Sequence, residues 1–185
     1  MNKKIVFAST LICFGAVFRL IPHPSNFTPV AAMALLGGFY FSKKYLAFIV
    51  PIAALLISDL VLNNTINRVF FVDQTGPIIW ADYMTYTYLA MFTTVLIGFA
   101  LSKSSKVTKV AGGSLIASIV FFLVTNFGSW LSQPLYPNNL SGLFASYTAG
   151  IPFFANTLIS NLLFVGLFVF TIEGAFKYTQ KTIKA

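Results

Sequence analysis

Charge is the scarcest resource of this 185-residue chain: only 9% of its residues are Asp, Glu, Lys or Arg, against about 25% in an average soluble domain. With 57% hydrophobic residues and a mean hydropathy of +0.83, too little polar surface exists to cover a water-soluble globule, so most of the exterior must face lipid. Cysteine is nearly absent. Cys13 alone excludes an internal disulfide and a cysteine-rich metal site, and it lies in an apolar run as a small hydrophobe. The single histidine, His23, cannot hold zinc without further His, Cys or carboxylate ligands. No Walker A pattern and no Gly-x-Ser-x-Gly occur, which excludes P-loop ATP hydrolysis and the usual serine nucleophile elbow. The three aspartates, Asp59, Asp73 and Asp82, fall around one membrane boundary and make a weak case for an aspartate dyad. The reading is therefore of a non-enzyme with no cofactor.

What is present is a series of apolar runs. An all-α integral membrane protein is predicted, one domain over 1–185, with spans near 4–21, 28–42, 45–62, 82–102, 109–131 and 147–173, since about 17–25 apolar residues cross the hydrocarbon as a helix. The second run is short and holds Gly37 and Gly38, so five crossings compete with six. The net charge of +8 decides between them by its position, and is read as a topology signal, not as a nucleic-acid footprint. Lys3 and Lys4, Lys43 and Lys44, Lys103, Lys106 and Lys109, and Lys177, Lys181 and Lys184 all fall on one side only if there are six crossings. Six transmembrane helices with both termini cytoplasmic are expected. The basic start followed by an apolar run also suits a signal peptide, but Arg19 interrupts the run and no small-x-small site follows, so a retained first helix is expected.

The loops expected outside, 22–27, 63–81 and 132–146, are rich in Pro and Asn, which stiffen and turn the chain. Ile66, Val69, Phe70 and Val72 suit a short amphipathic segment in the interface, and Trp80 and Trp130 fall where an aromatic belt belongs. Ile21-Pro22 followed by Asn26 is echoed by Ile151-Pro152 followed by Asn156; with no further match around it, the echo is read as chance.

The polar residues of the spans share one depth. Arg19 lies 15 residues beyond Lys4 and Asp59 15 beyond Lys44, each about 22 Å from the inner boundary at about 1.5 Å per residue. Tyr88, Asn126 and Asn161 fall 15 to 17 residues from Lys103, Lys109 and Lys177. Charges inside membranes cost roughly 2.5–3.5 kcal/mol on insertion scales, so Arg19 and Asp59 are read as an ion pair, either purely structural or also bordering a ligand pocket. His23, between Pro22 and Pro24, sits in a stiff loop suited to presenting side chains, or it is a plain loop histidine.

Arg19-x-x-Pro22-His-Pro-x-Asn26-Phe-Thr-Pro-Val30, Ala34-Leu-x-Gly-Gly38, Ser58-Asp59 and Ile151-Pro-Phe-Phe-x-Asn-Thr157 carry a resemblance over nearly the whole chain. It resembles a bacterial family of transport proteins and, through it, the substrate-binding S components of energy-coupling-factor (ECF) vitamin transporters. The resemblance implies an S-component-like six-helix bundle in the bacterial inner membrane, an outward-facing pocket, and the loop after the first helix as its lid. It also implies partners: a small-molecule substrate such as a vitamin, a transmembrane coupling protein and ATPase subunits, with no nucleic acid. Docking in such proteins uses small residues spaced by four on the first helix; this chain departs from a clean alanine repeat, with Ser9 and Cys13, or Ala8, Ile12 and Ala16, in its place, which leaves action alone or with another partner as the alternative to the shared module. On this reading Arg19, Asp59 and Asn126 line the pocket, His23 and Asn26 form the lid, and Trp80, Trp130 and Tyr147 supply aromatic walls. A structural scaffold of a cell-envelope complex is the alternative.

Overall fold

A computed structural model describes residues 3–41, 43–102 and 108–183, so Lys103, Lys106 and Lys184 lie outside the described residues. Six α-helices follow in order: α1 (Lys3–Phe18), α2 (Val30–Tyr40), α3 (Lys44–Asn64), α4 (Asp82–Ser102), α5 (Thr108–Ser132) and α6 (Leu140–Ile183), with a short 3₁₀ helix over Ile66–Phe70 between α3 and α4. No strand occurs among the described residues. Four helices, α3 to α6, are long and apolar enough to cross a membrane. The first two are shorter: α1 has 16 residues and α2 only 11, the latter about 16 Å at 1.5 Å per residue.

The short helix is the centre of the bundle. Every residue from Val30 to Gly38 is buried, and α2 touches all five other α-helices. Its tightest crossing is on α4, where Gly38 and Gly98 face each other: a Cβ on Gly38 would meet the Val95 carbonyl oxygen, and one on Gly98 the carbonyl oxygen of Leu35. Between helices in an apolar medium, close backbone approach through small residues replaces the hydrophobic drive that water would supply. Gly37 makes the matching approach to α3, its would-be Cβ lying 2.9 Å from Pro51 Cγ and 3.0 Å from the Ala47 carbonyl oxygen. Around this centre Ile12 and Ala16 of α1, Leu55 of α3, Met91 and Val95 of α4, and Phe164 and Phe168 of α6 form one buried cluster. The opposite faces carry exposed Leu89, Phe92 and Leu96 on α4 and Leu115, Ile116 and Ile119 on α5, as helices bathed in lipid require.

Three helix ends depart from expectation by three residues or more, one of them the end of α6, which runs to Ile183 instead of stopping near 173. The first helix stops at Phe18, with Arg19, Leu20 and Ile21 closing i to i−3 turns onto Ala16, Val17 and Phe18, instead of continuing to 21. The last helix starts at Leu140, seven residues before the expected 147, because Asn139 caps it: its Oδ1 accepts the Gly142 backbone N–H at 2.9 Å, satisfying a first-turn donor. The loop before it is held by Trp130, whose Nε1 donates to the Pro137 carbonyl at 2.9 Å. In the α3–α4 connection Asn64 pairs with Ile78 through both groups, Nδ2 donating to the Ile78 carbonyl at 2.9 Å and Oδ1 accepting its N–H at 2.7 Å. Ile66, Val69, Phe70 and Val72 are exposed there, as a segment in the interface would be.

Candidate functional site

The site is built where the chain leaves α1. Arg19, just past the helix end, reaches α3: Nη2 donates to Asp59 Oδ1 at 2.7 Å and Nη1 to the hydroxyl of Ser58. Ser58 passes its own proton to the Leu55 carbonyl at 2.8 Å. The second carboxylate oxygen of Asp59 accepts from the Tyr88 hydroxyl of α4 at 3.0 Å. Asp59 is 0% exposed and the Arg19 side chain 12%, so the expected pair exists and is nearly dry. Its members are not equivalent. Asp59 is enclosed by Arg19 and Tyr88, whereas Arg19 lies between Asp59 and a cavity that it lines.

Between Arg19 and α2 the chain makes a tight loop. The Phe27 N–H bonds the Pro24 carbonyl at 3.0 Å, and Asn26 takes φ +61°, the left-handed value that the third position of such a turn demands and that Asn tolerates. From α6, Asn156 Nδ2 donates to the Ser25 carbonyl at 3.0 Å. The two Ile-Pro…Asn segments, whose likeness reads as chance in the sequence, are thus joined in space through Ser25 and Asn156. This clamp ties the loop to α6 beside a cavity that Ser25 and Asn26 help to line.

The cavity measures about 420 Å³. Its walls come from six places: Arg19 and the loop residues Asn26 and Thr28; Val30 and Ala31 at the start of α2; Tyr83 and Thr87 on α4; Phe121, Thr125, Asn126 and Ser129 on α5; Tyr136 in the α5–α6 loop; and Gly150, Phe153, Thr157 and Asn161 on α6. Asn126 is oriented by its own helix, Nδ2 donating to the Phe122 carbonyl at 2.8 Å, and a Cβ on Gly150 would strike its amide oxygen. Glycine at 150 is therefore what makes room for Asn126 against α6. Deeper, Asn161 Nδ2 donates to Ser118 Oγ at 2.7 Å and ties α6 to α5. Among the described residues no group of three His, Cys, Asp or Glu is placed to hold a metal ion.

Of the residues singled out from the sequence, Arg19, Asn26 and Asn126 meet at this cavity, with Asp59 directly behind Arg19. Asn161, from the same polar layer, lines it too, whereas His23, Trp80, Trp130 and Tyr147 do not. His23 lies in the loop but stacks on Phe18, ring centroids 6.0 Å apart, with Nδ1 3.0 Å from the Pro24 carbonyl. Trp80 is exposed, donates from Nε1 to Thr85 Oγ1 at 3.2 Å and leans on Tyr88. Trp130 is spent on the α5–α6 loop, and Tyr147 packs against Phe122 and donates to the Leu123 carbonyl at 3.0 Å. The aromatic walls are Phe121, Phe153 and Tyr83 instead. A signal for them was present: Phe121-Thr125-Ser129 on α5 and Ala149-Phe153-Thr157-Asn161 on α6 recur every four residues, one stripe of a helix.

No curated protein and no solved structure matches the chain. One family model does, over residues 1–184, a length that takes in the Arg19–Asp59 pair, the Asn26 turn and every wall of the cavity; the chain belongs to the family of unknown function DUF6580.

Proposed function

We propose that this chain is the substrate-binding membrane subunit of an uptake system for a vitamin or similar micronutrient, related in manner of action to the S components of ECF transporters. One observation carries the reading: a cavity of about 420 Å³, within the range of about 300–1,000 Å³ usual for small-molecule sites, with polar side chains turned inward in an otherwise apolar chain. Its depth fits capture from outside. Arg19 and Asp59 lie far from the lysine-bearing ends of their helices, and the positive-inside rule puts those ends, and both termini, in the cytoplasm of a bacterial cell.

Six crossings are compatible with an 11-residue α2, because the irregular stretch from Arg19 to Pro29 completes its span. Non-helical backbone is tolerated at membrane depth where protein surrounds it or it lines a cavity. The chain acts by binding, not by catalysis. Lacking a P-loop, it draws energy for uphill transport from a transmembrane coupling protein and ATPase subunits.

The test is to purify the protein gently, extract small molecules for mass spectrometry, and screen vitamins, cobalamins included, by thermal shift. A bound compound should raise the melting temperature as ln(1 + [L]/Kd), and Asn26→Ala should weaken the shift. No retained compound together with no stabilising one would reject the proposal in favour of a scaffold role.

A further inference from the structure

The lysines account for the whole positive balance of the chain. Away from them stand two arginines, Arg19 and Arg68, against three aspartates, Asp59, Asp73 and Asp82. Among the described residues Arg19 is the one ionic side chain lining the cavity of about 420 Å³, and its charge is already matched by buried Asp59. A carboxylate entering here would place two anions on one guanidinium, an arrangement that favours protonation or exclusion of one of them. A second cavity of about 390 Å³, which shares Tyr83 with the first, is lined by Asp82 and by no cation among the described residues.

The hydrogen-bonding groups left over are of both kinds. Arg19 spends its two terminal nitrogens on Asp59, Ser58 and, at 3.5 Å, the Leu55 carbonyl. Its Nε–H and a second Nη2 hydrogen have no protein partner among the described residues. Asn126 is the complement: its amide nitrogen is committed to Phe122, which leaves the oxygen, packed against Gly150 at the cavity wall, as an acceptor with no protein donor among the described residues. Phe121 and Phe153 add apolar walls for a flat body.

We infer that the cavity selects an uncharged ligand bearing an amide-type group, with a carbonyl for Arg19 and an N–H for Asn126, over the same molecule with a carboxylate. This rests on the binding-subunit reading above. The probes are matched pairs: nicotinamide and nicotinate, benzamide and benzoate, biotin amide and biotin, lipoamide and lipoate. Affinities for the purified full-length protein are read by thermal shift and titration calorimetry at neutral pH. The amide should bind at least about tenfold tighter than its acid, and Asp59→Asn, which leaves the Arg19 charge unmatched, should move that ratio towards the acid by about tenfold or more. The wild-type ratio needs no variant, so a poorly folding Asp59→Asn leaves the test intact. An acid that binds as tightly as its amide, or a vitamin screen that succeeds while no amide binds, overturns this inference and leaves the binding subunit standing. Failure of both the pairs and the vitamin screen removes the two together.

Discussion

The two members of the Arg19–Asp59 pair should differ in what their loss costs, and by an amount that the geometry sets. Arg19→Met strands a carboxylate with 0% exposure on a single remaining donor, the Tyr88 hydroxyl. Removing one partner of a buried pair in this way costs about 3–5 kcal/mol. Asp59→Asn is milder. The amide keeps the shape, still accepts from Arg19 and still bonds Tyr88, and Arg19 can draw water from the cavity that it lines. Exchanging a charged for a neutral hydrogen bond should cost about 1–2 kcal/mol. In the double variant neither ion remains to be stranded, so it should sit near the cost of Asp59→Asn alone, giving a coupling of about 3–5 kcal/mol, the whole cost of Arg19→Met. Reversible unfolding in mixed micelles at neutral pH, run on the four proteins, measures each term. The reasoning fails if Asp59→Asn is the more damaging single change, or if the two losses add to within about 0.5 kcal/mol.

The α2–α4 crossing makes its own prediction: Gly38→Val drives a Cβ into the Val95 carbonyl, so its cost should reach or exceed the upper end of the about 1–3 kcal/mol of ordinary overpacking. Gly166→Val, with nothing within 4 Å of the new Cβ, should stay within about 0.5 kcal/mol in the same unfolding assay; equal costs would deny the close crossing. Topology is checked in a Cys13→Ser background, where cysteines replacing the exposed Lys43 and Lys109 should resist a membrane-impermeant thiol reagent in intact cells and one replacing exposed Asn139 should react. Labelling at Lys109→Cys from outside would reverse the orientation.

Much of the helical framework was legible because it depends on quantities that a linear reading supplies. Span α4 was expected at 82–102 and found at Asp82–Ser102; α3 and α5 differ by one or two residues at their ends. The misses have local causes. Asn139 reads as a turn residue and also acts as an N-cap, and its bond to Gly142 settles which role wins. The shortness of α2 follows from Pro29 and the Asn26 turn before it, and its burial on every side follows from the three glycines at its crossings. Trp80, Trp130 and Tyr147 were assigned to the pocket through the family resemblance, yet each spends its polar atom on Thr85, on Pro137 and on Leu123.

Depth and direction thus have different origins. A fixed rise per residue, counted from the lysines, put Arg19, Asp59, Asn126 and Asn161 at one level before any fold was known, and the apolar runs dictated helices in lipid because no other open structure satisfies its backbone there. Rotation about the helix axis was not written in the same way. In water a helix marks its inner face by hydrophobic contrast, but here the packed core and the lipid are both apolar, so Phe121 facing the cavity and Phe127 facing outward look alike in sequence. Only packing of the five other helices around α2 decided which polar side chains of that shared level turn towards one another, as Arg19 and Asp59 do, and which, like Asn126, line the cavity.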